Sequence, residues 1–200
     1  MKKLAVFFPG IGYTADKPLL HYSRRLAADA GFEVLILPYS GFPQKVKGDR
    51  NKMEESYRIA LSQSIEMLSG TDFSEFDSIL FVGKSIGTIV AAEIASYSTA
   101  PERIHFVLYT PLEDTFLFPL GDAIAFTGDA DPWVNEGSIP EICKEKDISC
   151  HVIPGANHSL ETDRVKEDIE NLRKIMKKTR KFIRHIDSCG RMVQNPNPST

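Results

Sequence analysis

The sequence predicts an α/β protein: a mainly parallel sheet of about six strands with helices on both faces. Three observations support that expectation. Short apolar runs of strand length alternate with stretches of helical periodicity along nearly the whole chain. Strands joined through helices run parallel, because right-handed crossovers lay the helices on both faces of one sheet. The 200 residues, 42% of them apolar and 26% charged, suit one compact domain, since domains commonly hold about 100–200 residues.

The elements follow in order. LAVFFPG (residues 4–10) is a short apolar run ended by Pro9-Gly10, as expected of a buried strand. Leu19, Leu20, Ser23, Leu26, Ala27 and Ala30 then recur at helical spacing, and Gly31 closes that helix. FEVLILPYSGFP holds the second strand, stopped by Pro38. From Asn51 onward, Met53, Tyr57, Leu61, Ile65 and Leu68 repeat about every four residues, predicting a helix with this set as its apolar face. DSILFVG (77–83) is the third strand and runs straight into the small-residue helix of KSIGTIVAAEIASYS. ERIHFVLYTPL, DAIAFTGD and ISCHVIPG supply strands four to six, with a short helix in EGSIPEICKEK between the last two. A long helix follows over about 163–186, its apolar face made of Val165, Ile169, Leu172, Ile175, Met176, Phe182 and Ile183. One domain over residues 1–186 and a frayed, polar tail over 187–200, with its Asn-Pro-Asn-Pro, complete the expected organisation.

Composition narrows the function. A net charge of −3 does not point to a polyanionic partner, so nucleic acid is not the expected ligand. The opening MKKLAVFFPG imitates a signal peptide, but its apolar run stops after Phe8, short of the roughly 7–15 residues of a secretory core. No stretch approaches the roughly 18 apolar residues of a membrane span. A cytoplasmic protein without a membrane partner is the expectation. Cys143, Cys150 and Cys189 form an odd set with no CxxC and no zinc spacing to histidines. Reduced thiols are expected, although Cys143 and Cys150 can pair if their elements adjoin.

Ligands of such sheets bind beyond the carboxyl ends of the strands, so the informative residues are those just after each strand. After the third strand stands Gly83-Lys84-Ser85-Ile86-Gly87, a G-x-S-x-G pattern. A sharp strand-to-helix turn holds such a serine clear of the sheet, and the flanking glycines let helix and strand pass closely. The helix N-terminus and the Ile86 amide then face any oxyanion that develops there. Gly83-Lys84-Ser85 also resembles the end of a phosphate-binding G-x-x-x-x-G-K-[ST] loop. That loop requires glycine where Ser78 stands and irregular backbone where the strand Ile79–Val82 stands, so the reading fails. After the fifth strand come Asp129 and Asp131, in GDADPWV, and after the sixth comes His158, in PGANHS. Serine, acid and histidine in this order allow the imidazole to take the serine proton while a carboxylate holds its tautomer. Each residue also has a plainer role: Ser85 as a helix cap, the aspartates as turn formers. Of the other histidines, His105 and His151 lie in strands and His21 and His185 in helices, which leaves His158 as the candidate base.

The chain resembles the α/β-hydrolase superfamily over roughly residues 4–185, through PGIGY after the first strand, GKSIG, GDADPWV and GANHSLE. The resemblance implies a minimal α/β-hydrolase fold with Ser85 as nucleophile, His158 as base and Asp131, rather than Asp129, as acid. It implies an oxyanion hole from the amides of Ile86 and Ile11, with Gly10 or Gly12 as near alternatives to Ile11. The chain departs from the family in carrying Pro9-Gly10 where His-Gly is frequent. It also lacks two N-terminal antiparallel strands and has no room for a cap between Leu112 and Asp122. Tyr13, Tyr39, Phe116 and Trp133, which follow strands, are candidates to line an acyl pocket, and such aromatics serve as ordinary core just as readily. The expectation is a serine hydrolase for an ester or thioester of a small or medium acyl group, needing no metal or organic cofactor. A binding protein on the same fold, or an acyltransferase or peptidase with the same three residues, are the other readings.

Overall fold

The computed structural model describes the backbone of residues 1–193 and the side chains of residues 1–186. In chain order its elements are β1 (Lys3–Phe8), α1 (Pro18–Asp29), β2 (Glu33–Ile36), α2 (Arg50–Leu68), β3 (Ser78–Lys84), α3 (Ile86–Ser96), β4 (Ile104–Tyr109), β5 (Ala123–Gly128), α4 (Ser138–Glu145), β6 (Ser149–Ile153) and α5 (Val165–Val193). The strands form one sheet in the order β2-β1-β3-β4-β5-β6, and every neighbouring pair is parallel. Strand order reverses between β1 and β3. The loops that leave their carboxyl ends turn away from each other and open a crevice there.

Side chains alternate across the sheet and build two cores. Leu4, Val6 and Phe8 of β1, with Phe81 and Phe106, pack beneath α2, α3 and α4. Ala5 and Phe7, with Leu80, Val82 and Tyr109, pack beneath α1 and α5 on the opposite face. Tyr109 is fully buried, and its hydroxyl lies 2.8 Å from both Ser23 Oγ of α1 and Thr179 Oγ1 of α5. One polar atom thus ties a strand to both helices of its face without an unmet hydrogen bond.

Two helical faces differ from the sequence expectation. The buried stripe of α2 is Ser56, Ala60 and Ser64 together with Leu68, whereas Ile65 is 50% exposed. Ser56 and Ser64 return their hydroxyls to the carbonyls of Lys52 and Ala60, so small polar residues occupy an apolar interface at no hydrogen-bond deficit. Tyr57 and Leu61 pack at its margin. On α5, Ile175, Ile183 and Ile186 are buried, but Val165 and Ile169 stand exposed on the first turns. The helix also continues to Val193, past the expected end at Ile186, while residues 194–200 of the expected tail lie outside the described residues. Cys143 and Cys150 adjoin across α4 and β6 as free thiols; the side chain of Cys189 lies outside the described residues. No helix among the described residues is long and apolar enough to cross a membrane.

Candidate active site

Ser85 alone joins β3 to α3, and a single residue can reverse the chain only by leaving the usual backbone regions. Its φ of 55° and ψ of −127° do so, a conformation that surrounding structure must enforce on a residue with a Cβ. The enforcement is steric. A Cβ on Gly87 would lie 2.1 Å from the Phe8 carbonyl oxygen, and one on Gly83 would lie 2.8 Å from Thr88 Cα. Both glycines of the pattern therefore serve close backbone approach. The loop after β1 presses on the same turn: a Cβ on Gly10 would stand 3.2 Å from Ser85 Cβ.

The other two loops are joined to each other. A Cβ on Gly128, at the end of β5, would lie 2.0 Å from the Ala156 carbonyl oxygen, so the chains meet backbone to backbone. Ala130 N–H donates to that same carbonyl at 3.1 Å, and Gly155 N–H donates to Asp129 Oδ1 at 2.6 Å. Asp129 thus pins the histidine loop and does not touch the histidine itself. Asn157 shapes the turn around His158, its side-chain oxygen accepting from Ser159 N–H at 2.7 Å.

These loops bring Ser85, His158 and Asp131 into one hydrogen-bonded row. Ser85 Oγ lies 2.7 Å from His158 Nε2, and His158 Nδ1 lies 2.7 Å from Asp131 Oδ2. The Asp131 carboxylate is fully enclosed, and its second oxygen accepts from Trp133 N–H at 2.9 Å. Trp133 also stacks on the imidazole, ring centres 5.3 Å apart. Burial holds His158 below its ordinary histidine value; the Asp131 hydrogen bond opposes that and the Lys84 charge adds to it. A neutral imidazole with Nδ1–H directed at Asp131 leaves Nε2 free to accept the serine proton.

Ile86 opens α3, where first-turn amides have no helical acceptor. Neither its N–H nor that of Ile11 has a hydrogen-bond acceptor among the described residues. A cleft of about 260 Å³ lies above Ser85, walled by Ile11, Gly12, Tyr13, Trp133 and His158. Of the four aromatic candidates it gathers only Tyr13 and Trp133. Tyr39 hydrogen-bonds Ser64 Oγ at 2.7 Å and packs against the core with α2, and Phe116 is buried in that same core. Aromatic rings after strands have two destinations, and residue type alone does not choose between them. The cleft also takes in Pro43, Lys45, Lys47, Met53 and Lys84, none of which sequence reasoning selected. Lys84 carried the one usable signal, a charged residue completing an apolar strand. Among the described residues no group of three or more His, Cys, Asp or Glu side chains is arranged to hold a metal ion.

No protein-family model matches the sequence, and neither does any curated protein. Solved structures do resemble it. A serine hydrolase without a lid from Xanthomonas campestris superposes with a TM-score of 0.64 at 14% identity, over 92% of this chain and 81% of that one. A serine hydrolase homologue from Coxiella burnetii gives a TM-score of 0.59 at 14% identity, over 88% and 84% of the two chains. An esterase from Pyrococcus furiosus gives 0.61 at 13% identity, over 92% and 82%. Likeness of shape at such identities speaks for architecture, and with the all-parallel, six-stranded sheet it leads to one conclusion: this chain has the α/β-hydrolase fold, in a minimal form.

Proposed function

We propose that the protein is a serine hydrolase that cleaves an ester or thioester of a small or medium acyl group. The observation that carries this reading is the unbroken row Ser85–His158–Asp131, with 2.7 Å at each step, on a serine held at positive φ. Ser85 Oγ attacks the carbonyl as His158 takes its proton, and the amides of Ile86 and Ile11 receive the oxyanion. The imidazolium then protonates the leaving alcohol or thiol. Water, deprotonated by His158, releases the acid from Ser85. Beside the cleft runs a largely apolar groove of about 410 Å³ along Tyr57, Ile89, Leu112, Leu117 and Phe118, which Arg50, Glu54 and Asp114 also line. Met53 borders both spaces, so an acyl chain leaving Ser85 has an apolar path. The shared fold with proteins described as serine hydrolases and an esterase supports the reading.

A fluorophosphonate probe, which phosphonylates activated serines, tests it. The wild type is expected to label rapidly, Ser85→Ala not at all, and His158→Ala far more slowly. A folded wild type that stays unlabelled would move the protein to the binding-protein reading. The pH profile provides a second check. Protonated His158 cannot accept the Ser85 proton, so kcat/KM is expected to fall as pH drops through its pKa. That pKa lies below the ordinary 6.5, so the acid limb belongs on the acid side of that value. A kcat/KM that does not fall on the acid side would contradict His158 as the base.

A further inference from the structure

We propose that the substrate carries an anionic group near its scissile carbonyl, with Lys84 as the counter-ion and Lys45 and Lys47 as a cationic rim. This rests on the serine-hydrolase reading above and adds the substrate class. Lys84 is the residue before Ser85, and only 1% of it is exposed. Its Nζ lies 5.0 Å from the centre of the Tyr13 ring and has no hydrogen-bond or ion-pair partner among the described residues. Burying an ammonium without a carboxylate is unfavourable, and a methionine of similar length would fill the same space without that cost. Nor does the relay need Lys84, since Ser85 Oγ is already engaged by His158. The side chain borders the cleft, as do Lys45 and Lys47, and among the described residues no carboxylate lines that cleft. The rim is held in place. Val46 is buried between the two exposed lysines, Lys45 sits at a φ of 54°, and Lys52 Nζ donates to the Gln44 carbonyl at 3.1 Å. A cleft with three ammonium groups and no acid selects for negative charge.

The protonation state of Lys84 makes this recognition sensitive to pH. Burial draws its pKa down to about 7, partly opposed by the charges of Asp131 and Glu161. The Tyr13 ring lies against it, and His158 and Ser85 share its cleft. An anion binds the protonated form, so affinity is expected to weaken as pH rises through that value, and binding is expected to draw a proton from solution.

Two assays test the proposal separately from catalysis and within it. Trp133 is the one tryptophan of the chain and lines the cleft, so its fluorescence reports occupancy. In Ser85→Ala, adipate is expected to give a saturable change that the neutral diamide of the same acid does not. The change should be lost in Ser85→Ala/Lys84→Met and Ser85→Ala/Lys84→Gln proteins that melt normally. For turnover, the 4-nitrophenyl monoester of adipic acid is compared with 4-nitrophenyl hexanoate, and 4-acetoxybenzoate with its methyl ester. The first pair places the charge on the acyl side and the second on the leaving group. Wild type is expected to prefer the charged member of one pair, and Lys84→Met to lose about tenfold or more on that member through KM, as loss of a charged contact predicts. The neutral partner is expected to lose markedly less, so that the ratio of kcat/KM between the two members collapses. No charge preference together with no adipate response overturns the proposal. So does an equal loss on both members of a pair with a shifted acid limb, since Lys84 would then act only on His158. Missing probe labelling with an intact adipate response would instead remove the hydrolase reading and keep the anion site.

Discussion

Asp131→Asn is expected to lower kcat/KM about ten-thousandfold, the scale at which a triad fails when its histidine adopts the wrong tautomer. The hydrogen bonds explain why so small a change should matter. Asp131 Oδ1 accepts from the Trp133 amide, while Oδ2 faces His158 Nδ1. An asparagine would keep its carbonyl oxygen on the Trp133 N–H and turn its NH2 toward the imidazole. His158 would then accept at Nδ1 and carry its proton on Nε2, opposite Ser85 Oγ, where it can no longer take the serine proton. Asp129→Asn makes the control. It retains an acceptor for the Gly155 amide, and its activity is expected to stay within about tenfold of wild type. Ester hydrolysis and thermal melting of both variants decide the matter. Comparable losses in the two would mean that the acid assignment is wrong.

Gly87→Ala is expected to be strongly destabilising. Its Cβ would sit 2.1 Å from the Phe8 carbonyl oxygen and 2.5 Å from that of Pro9. Both obstacles are backbone at the end of β1, held in register against β3, so nothing flexible can yield. Overpacking of this kind costs about 3 kcal/mol or more, which for a domain of this size lowers Tm by roughly 10 °C. Gly70→Ala, with nothing within 4 Å of its Cβ, is expected to melt within about 2 °C of wild type. Calorimetry on both variants tests the contrast. An unshifted Tm in Gly87→Ala would mean that β1 and α3 are not packed as described.

Much of this molecule was legible because its strands are plain. Ser78–Lys84 is buried at every position, and a continuous apolar run bounded by a turn leaves few alternatives. The same strands located the site, for Ser85, Asp131 and His158 each follow a strand end, and those three side chains meet. Choosing between Asp131 and Asp129 required more than composition. The two differ in burial, Asp131 being buried and Asp129 exposed, and in which loop neighbour each reaches, His158 in one case and Gly155 in the other. The face of α2 was misread because periodicity weighs large apolar side chains. This helix instead buries Ser56, Ala60 and Ser64, whose small size suits a close interface and whose hydroxyls are satisfied within their own helix. Val165 and Ile169 fit the apolar pattern of α5 but remain exposed on its first turns. Lys84 was visible as a charged residue ending an apolar strand and as one letter of a rejected phosphate-loop pattern. Its burial is a tertiary fact, set by Tyr13 and the loop after β1.

The contact between Gly128 and Ala156 also decides how the relay can come apart. With the Asp129–Gly155 bond it makes the acid-bearing and histidine-bearing loops a single plate, fastened to the outer strands β5 and β6. Ser85 belongs to another body, the central β3 and the helix behind it. Edge strands open at lower free energy than central ones, and β6 is the edge strand on that side. The relay crosses between the two bodies at one hydrogen bond, Ser85 Oγ to His158 Nε2, while the His158–Asp131 bond lies within the plate. A substitution that displaces the plate is therefore expected to part Ser85 from His158 before it parts His158 from Asp131.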